Sequence, residues 1–264
     1  MKDQTLLTTI DSRGVARLTM NRPEVKNAFN EELIGAICDA MGRLSADANV
    51  RAIVLTGGGN AFSGGADINM MRRVAEYSAA ENKDDARRLA HMLNSIYAST
   101  KPVIALVNGP AMGGAVGLTA ACDIAIAADT AFFALSEVRL GIIPAVISPF
   151  VVQAIGARQA RRFFLTGERF DAETARRIGL VHMIALPAQL EATLDGVIDN
   201  LLACGPNAQK EAKELIRAVK NRPITDSVIE DTAGRIARLR ASDEGKEGLE
   251  AFLEKRKPNW IGEA

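Results

Sequence analysis

Apolar and polar positions along the N-terminal part of this chain alternate between two periods. Leu6 to Ile10 and Val15 to Met20 flank the turn Asp11-Ser12-Arg13-Gly14 and predict a β-hairpin. Leu33, Ile37, Met41 and Leu44 recur at helical spacing. Asn30 stands where the N-cap of that helix belongs, and Glu31 and Glu32 place anions where the helix dipole favours them. Arg51 to Thr56 and Pro102 to Val107 are near-continuous apolar runs, the pattern of strands buried on both faces. Residues 67–98, rich in charge and in Ala, Met and Leu, predict helix with a mobile stretch at Ser78 to Lys83. Gly113 to Ala121 predicts a short helix with almost no polar side chain, hence a buried one. Ile124 to Ala127 and Ala131 to Ala134 predict short strands, which makes a repeating strand–strand–helix rhythm.

Beyond about Pro144 the strand signal fades. Val151 to Ile155, Arg158 to Leu165, Ala172 to Ile178, Ala188 to Leu202, Asn207 to Val219 and Thr225 to Leu239 predict helices. Leu180 to Ile184 predicts one last strand, and a final helix carries Leu249, Phe252 and Leu253 on one side. The simplest division is a β-rich core over 1–190 and a helical region over 191–264.

Composition narrows the classes. With 264 residues and 48% of them apolar, the chain can bury a large core. Its 32 basic and 32 acidic residues cancel and aromatics make up only 5%, which argues against a nucleic-acid surface. No apolar run has the length of a membrane span, and Met1-Lys2-Asp3-Gln4 lacks the basic, apolar start of a secretory leader. Cys38, Cys122 and Cys204 are scattered and in no metal spacing, so they read as small buried residues of a cytoplasmic protein. No metal site is expected.

The chemistry concentrates in two glycine-rich turns and one acid. The first turn is Ala61-Phe62-Ser63-Gly64-Gly65-Ala66-Asp67, and the second is Asn108-Gly109-Pro110-Ala111-Met112-Gly113-Gly114-Ala115. Each follows a predicted strand and precedes a predicted helix. A dinucleotide fingerprint fails because Gly57-x-Gly59 lacks the third glycine, and a phosphate-binding loop fails because no Gly-Lys-Ser/Thr follows. Two backbone N–H groups from such turns could form an oxyanion hole, and Glu137, in an apolar setting of Phe133, Leu135 and Val138, could move protons beside it. The plainer alternatives are tight turns that only glycine fits and a solvated surface acid.

These and further segments together resemble the crotonase family, the enoyl-CoA hydratase/isomerase superfamily, over nearly the whole chain. The carriers are Asn21-Arg22-Pro23, Ala52 to Gly58, Phe62 to Asp67, Lys101 to Ala105 leading into Asn108-Gly109, Ala121-Cys122-Asp123-Ile124, Ser136 to Gly141, Leu165-Thr166-Gly167, Ala175 to Val181, and Phe252 to Arg256. The resemblance implies an α/β fold built as a spiral of ββα units with a helical C-terminal region that forms trimers or dimers of trimers. It implies acyl-CoA thioester substrates and no cofactor beyond their CoA. It places the oxyanion donors at Ala66 and Gly114 and the acid at Glu137. CoA would follow Lys26, Ala28, Gly64, Ala66 and Ile68, with Phe252 and Lys255 reaching it from the last helix. For Lys26 and Lys255 the competing reading is solvated charge.

One departure matters. Two-acid hydratases of the family carry a second glutamate three residues after the oxyanion glycine, and here that position is Gly117. Single-acid members include Δ3-Δ2-enoyl-CoA isomerases. The stretch Gly141 to Phe150, with Asn69-Met70-Met71 and Gly113 to Leu118, instead looks like bacterial methylglutaconyl-CoA hydratase-like proteins of leucine and isoprenoid degradation. The expected function is therefore hydration of a 2-enoyl-CoA, with isomerisation and a non-catalytic acyl-CoA- or RNA-binding homologue as alternatives. Aryl-CoA dehalogenation would need an aspartate at Ala145. His91 and His182 read as ordinary helix and structural residues. A carboxylate placed at position 117, on the same side of its helix as Gly114, could reach the water beside the enoyl double bond; the expected outcome of adding one is crowding and a lower rate, whereas a gain of hydration would point to an isomerase.

Overall fold

A computed structural model describes residues 4–261 of the chain. The leader-free reading of the N-terminus rests partly on residues 1–3, which lie outside the described residues, as do 262–264 of the expected C-terminal region.

The chain divides into two compact units, residues 1–195 and 196–264. The break falls inside helix Leu190–Leu202 rather than at 190/191, where the helix merely starts.

In the first unit, β1 (Leu6–Ile10) and β2 (Val15–Met20) form the antiparallel hairpin, paired from Leu6 opposite Met20 to Ile10 opposite Ala16. α1 (Glu31–Ala46) begins at Asn30, whose side chain accepts the Leu33 N–H at 2.9 Å. β3 (Ala52–Gly57) and β4 (Val103–Val107) are wholly buried and run parallel, with Thr56 opposite Leu106. Between them lie α2 (Ile68–Val74) and α3 (Ala79–Tyr97). The stretch expected to be mobile is the first turn of α3. Ser78 Oγ accepts the Glu81 N–H while Glu81 Oε2 accepts the Ser78 N–H at 2.8 Å, a reciprocal cap that satisfies otherwise orphaned donors.

The second glycine turn holds a strand too short to read from sequence, β5 (Ala111–Met112), which leads into α4 (Gly114–Ala121). β6 (Ile124–Ala128) and β7 (Phe132–Ala134) follow. α5 (Ser148–Thr166) is interrupted at Gly156, whose φ of 73° matches the two helices read there. β8 (Arg169–Asp171), also missed, precedes α6 (Ala172–Arg177). The last strand, β9, is Met183–Ala185 rather than 180–184, because Leu180 and Val181 serve as buried packing in the preceding turn.

One sheet has the order β1-β2-β3-β4-β6-β9 and the other β5-β7-β8. The core packs β2, β3 and β4 against α1, α3 and α4, through Leu18, Ile37, Leu55, Leu93, Val107 and Leu118. β3 and β4 are neighbours, so the two glycine turns leave the same carboxyl edge of the large sheet side by side. That edge is where open parallel sheets place ligands. In the second unit, α8 (Pro206–Val219), α9 (Asp226–Ala241) and α10 (Asp243–Glu254) pack on one another, following α7 (Leu190–Leu202). Among the described residues no helix is long and apolar enough to cross a membrane.

A strained turn underlies the first glycine loop. Lys26 and Asn27 both take φ of 54°. Fully buried Asn27 gives its side-chain N–H groups to Gly58 O and Ala61 O at 2.8 Å, and its Oδ1 accepts the Arg22 N–H. Asn27→Ala removes all three bonds and keeps the unfavourable φ, so a loss of about 2–3 kcal/mol is expected. A urea titration with a lowered midpoint and unchanged slope would bear this out; a midpoint within error of the parent would contradict it.

Candidate active site

The first turn is held open by a pairing that faces one way. Phe29 N–H donates to Gly65 O at 2.7 Å, and Asp67 N–H donates to Phe29 O at 2.9 Å. This is a parallel bridge in which Phe29 bonds the neighbours of Ala66, so the Ala66 N–H points to the opposite side. Among the described residues no acceptor takes it, and Ala66 is exposed. The second turn does the same by another route. Gly113 N–H is taken by Ala134 O and Val116 N–H by Gly113 O. The Gly114 N–H, at the start of α4, has no acceptor among the described residues.

The two turns touch through backbone. Ser63 O accepts the Met112 N–H at 3.0 Å, and a Cβ on Gly65 would lie 2.9 Å from Met112 O. Gly65 has φ of 90°, so both its conformation and its space exclude a side chain. Ser63 Oγ donates to Asn27 O and accepts the Gly65 N–H, which ties the turn to the strained loop beneath it.

β5 also delivers the acid. Met112 pairs with Ala134, and the chain then passes Leu135 into the short 3-10 helix Ser136–Leu140. This sets the Glu137 carboxyl beside Gly113, where a Cβ would lie 3.3 Å from Oε1. Oε2 is buried without a hydrogen-bond partner among the described residues. Burial raises the Glu137 pKa above the ordinary 4.5, and its own backbone N–H opposes this only in part.

Asp67, one residue after Ala66, is pushed the other way. Burial favours its neutral form, but the Arg22 guanidinium at 2.8 Å and the N–H groups of Asn69 and Met70 outweigh burial and hold its pKa below the ordinary value. Arg22 also donates to Ala28 O. Two carboxyls so tuned divide their roles: Asp67 stays charged and caps α2, while Glu137 can exchange a proton.

The structure thus gathers Ala66, Gly114 and Glu137 around Met112 and Gly113. Lys26 and Ala28 lie in the strained loop before α1, against Gly64 of the first turn, whose N–H donates to Lys26 O at 2.7 Å. Lys26 is exposed, Ala28 buried, and Ile68 exposed at the start of α2. Phe252 and Lys255 belong to the second unit, exposed at the end of α10. Sequence reasoning missed Phe29 and Ile147, which look like ordinary core residues. None of the three cysteines expected to be buried is fully so: Cys38 and Cys122 are half-buried, and Cys204, in the bend after α7, is exposed and donates to Asn200 O. His182 has a structural role, with Nδ1 accepting the Ala125 N–H at 3.0 Å, and His91 lies exposed on α3. Among the described residues no cluster could hold a metal ion.

Position 117 is closed. A Cβ on Gly117 would lie 2.7 Å from Ile147 Cβ and still closer to its Cγ2, and Ile147 is itself buried. A carboxylate there would have to displace Ile147 before it could reach a substrate, so the packing favours the crowding expected of it.

Two backbone N–H groups without an acceptor among the described residues, with one desolvated carboxyl near them, are parts that could hold an oxyanion and move a proton at adjacent carbon. The enoyl-CoA hydratase/isomerase family model matches residues 11–263. An enoyl-CoA hydratase of Shewanella pealeana, known from its crystal structure, superposes with a TM-score of 0.94 at 41% identity, covering 97% of this chain and 96% of that one. AtuE of Pseudomonas aeruginosa gives 0.93 at 38% identity, over 98% and 100%. The enoyl-CoA hydratase ACTT6 of Alternaria alternata is 35% identical over 80% of this chain and 70% of its own length. The chain belongs to the enoyl-CoA hydratase/isomerase family, the crotonase superfamily, and its α/β spiral with a helical C-terminal region is the fold of those solved structures.

Two outcomes follow from this geometry. Glu137→Gln should stabilise the protein at neutral pH. The raised carboxyl costs nothing while protonated, below about pH 4.5, and destabilises once pH rises through its folded pKa. The gain in melting temperature should therefore grow with pH and vanish in acid; a gain independent of pH would refute the desolvated carboxyl. Gly117→Glu should lower the melting temperature markedly by forcing Ile147 and the start of α5 away. Its pairing with Ile147→Gly should restore much of that loss, and no restoration would show that the clash lies elsewhere.

Proposed function

We propose that this protein is an enoyl-CoA hydratase that adds water across the C2=C3 bond of a 2-enoyl-CoA. The observation that carries the proposal is the desolvated Glu137 carboxyl, whose Oε2 has no hydrogen-bond partner, in one site with two backbone N–H groups that have no acceptor among the described residues. In this reading the Ala66 and Gly114 N–H groups hold the thioester oxygen as it gains charge. Protonated Glu137 gives its proton to C2 from one oxygen while the other takes a proton from the water adding to C3. One carboxyl thus serves both transfers on one face, and the proton count closes with no redox partner or metal. The hydratase names of the relatives at 35% and 41% identity favour this reading. A branched, methylglutaconyl-like acyl group is favoured by the Gly141–Phe150 pattern. CoA would run along Lys26, Ala28, Gly64 and Ile68, where a lysine suffices as a point charge for phosphate. Trimers or dimers of trimers would cover exposed apolar residues such as Ile143 and Leu165.

One observation favours the second reading. Ile147 keeps position 117 empty, so Glu137 has no second acid on α4 to share a water. A single acid moving a proton from C2 to C4 is the isomerase chemistry.

The conjugated enoyl-thioester absorbance separates the readings. Its loss with a 2-enoyl-CoA is expected. A gain with a 3-enoyl-CoA, without that loss, would replace hydration by isomerisation, and binding without either change would mean a binder. Glu137→Gln should lower turnover about 10²-fold or more with CoA affinity nearly unchanged. Turnover near that of the parent would remove Glu137 from the mechanism.

A further inference from the structure

The two proposed oxyanion donors sit on separate segments, yet one residue touches both. Phe29 is bonded through its backbone to Gly65 and Asp67, on either side of Ala66. Its ring lies against Gly114, where a Cβ would meet Cε2 at 3.0 Å and Cδ2 at 3.3 Å. The residue is 3% exposed, so the ring has packed neighbours behind it and cannot swing away. It is also fixed in sequence between the Asn27 anchor and the Asn30 helix cap. Its backbone position therefore sets where Ala66 stands, and its ring edge sets how closely the start of α4 approaches.

We propose that Phe29 is a positioning residue: a spacer whose ring fixes the separation and aim of the Ala66 and Gly114 N–H groups. The inference rests on the oxyanion reading above and adds what holds that hole at its working width. It explains why position 114 takes glycine, since a methyl group there would press on the ring and tilt the first turn of α4. A shorter side chain at 29 would leave a gap, and the helix start would relax into it. A shift of a fraction of an ångström at the donor weakens the hold on the charged oxygen far more than the hold on the neutral thioester. The effect should therefore appear in kcat and not in KM.

The test uses the full chain with Phe29→Leu and the more volume-conserving Phe29→Met, each checked for folding by circular dichroism. Acetoacetyl-CoA is the probe, because its enolate absorbs in the near ultraviolet and is favoured by donors aimed at the thioester oxygen. The parent should raise the enolate fraction of the bound probe above that in buffer. Phe29→Leu should lower that fraction and reduce kcat about tenfold with KM within about twofold, and Phe29→Met should recover part of both. Gly114→Ala alone should also reduce kcat, and combined with Phe29→Leu it should lose less than the product of the two single losses. Strict multiplicativity, or parent-like kcat and enolate fraction in Phe29→Leu, would overturn the spacer role. A change in KM alone would overturn it as well. No enolate enrichment by the parent would overturn the oxyanion reading itself, and the spacer with it.

Discussion

The site depends on the backbone contact between two loops that leave adjacent parallel strands. Ser63 pairs with Ala111, and Gly65 packs directly on the Met112 carbonyl. The second contact does not tolerate a Cβ at Gly65, and neither could form if β3 and β4 were not neighbours in register. From that contact the rest follows. Ala66 is turned outward because its flanking residues are bonded to Phe29. Met112 is held as a two-residue strand because Ala134 pairs with it, and Glu137 arrives beside Gly113 because it lies three residues past that pairing.

Electrostatics divides labour between the two acids of the site. Asp67 is drawn into the framework by Arg22 and by the N-terminus of α2, so its charge is fully employed in holding the first loop. Glu137 has no such partner for Oε2 among the described residues, and burial raises its pKa above the ordinary value. The surrounding apolar packing also shows why α4 carries no second acid. Ile147 occupies the volume that any side chain at position 117 would need, so glycine there is a packing requirement as well as a chemical choice.

Much of the fold is legible from local signals. The hairpin at Leu6–Met20, the Asn30 cap and the continuous apolar runs of β3 and β4 follow from turn chemistry, capping and burial on both faces. The misreadings share a cause. β5 and β8 are two and three residues long and exist only through partners distant in sequence, so no local periodicity marks them. Polar, small residues such as those from Ser78 suit both mobile loops and helix caps. Only the geometry of the Glu81 return bond distinguishes the two.

By itself, the sequence determined the chemistry available: glycine turns after buried strands, one acid among apolar neighbours, and no second acid at position 117. Those are matters of residue type, and residue type is what a sequence records. The tertiary structure decided which groups meet. Phe29 and Ile147 are unremarkable apolar letters in the chain, yet one touches both proposed donor segments and the other seals position 117. Their roles come from distances between segments far apart in sequence. Such distances are set by strand order and packing, which no local pattern encodes.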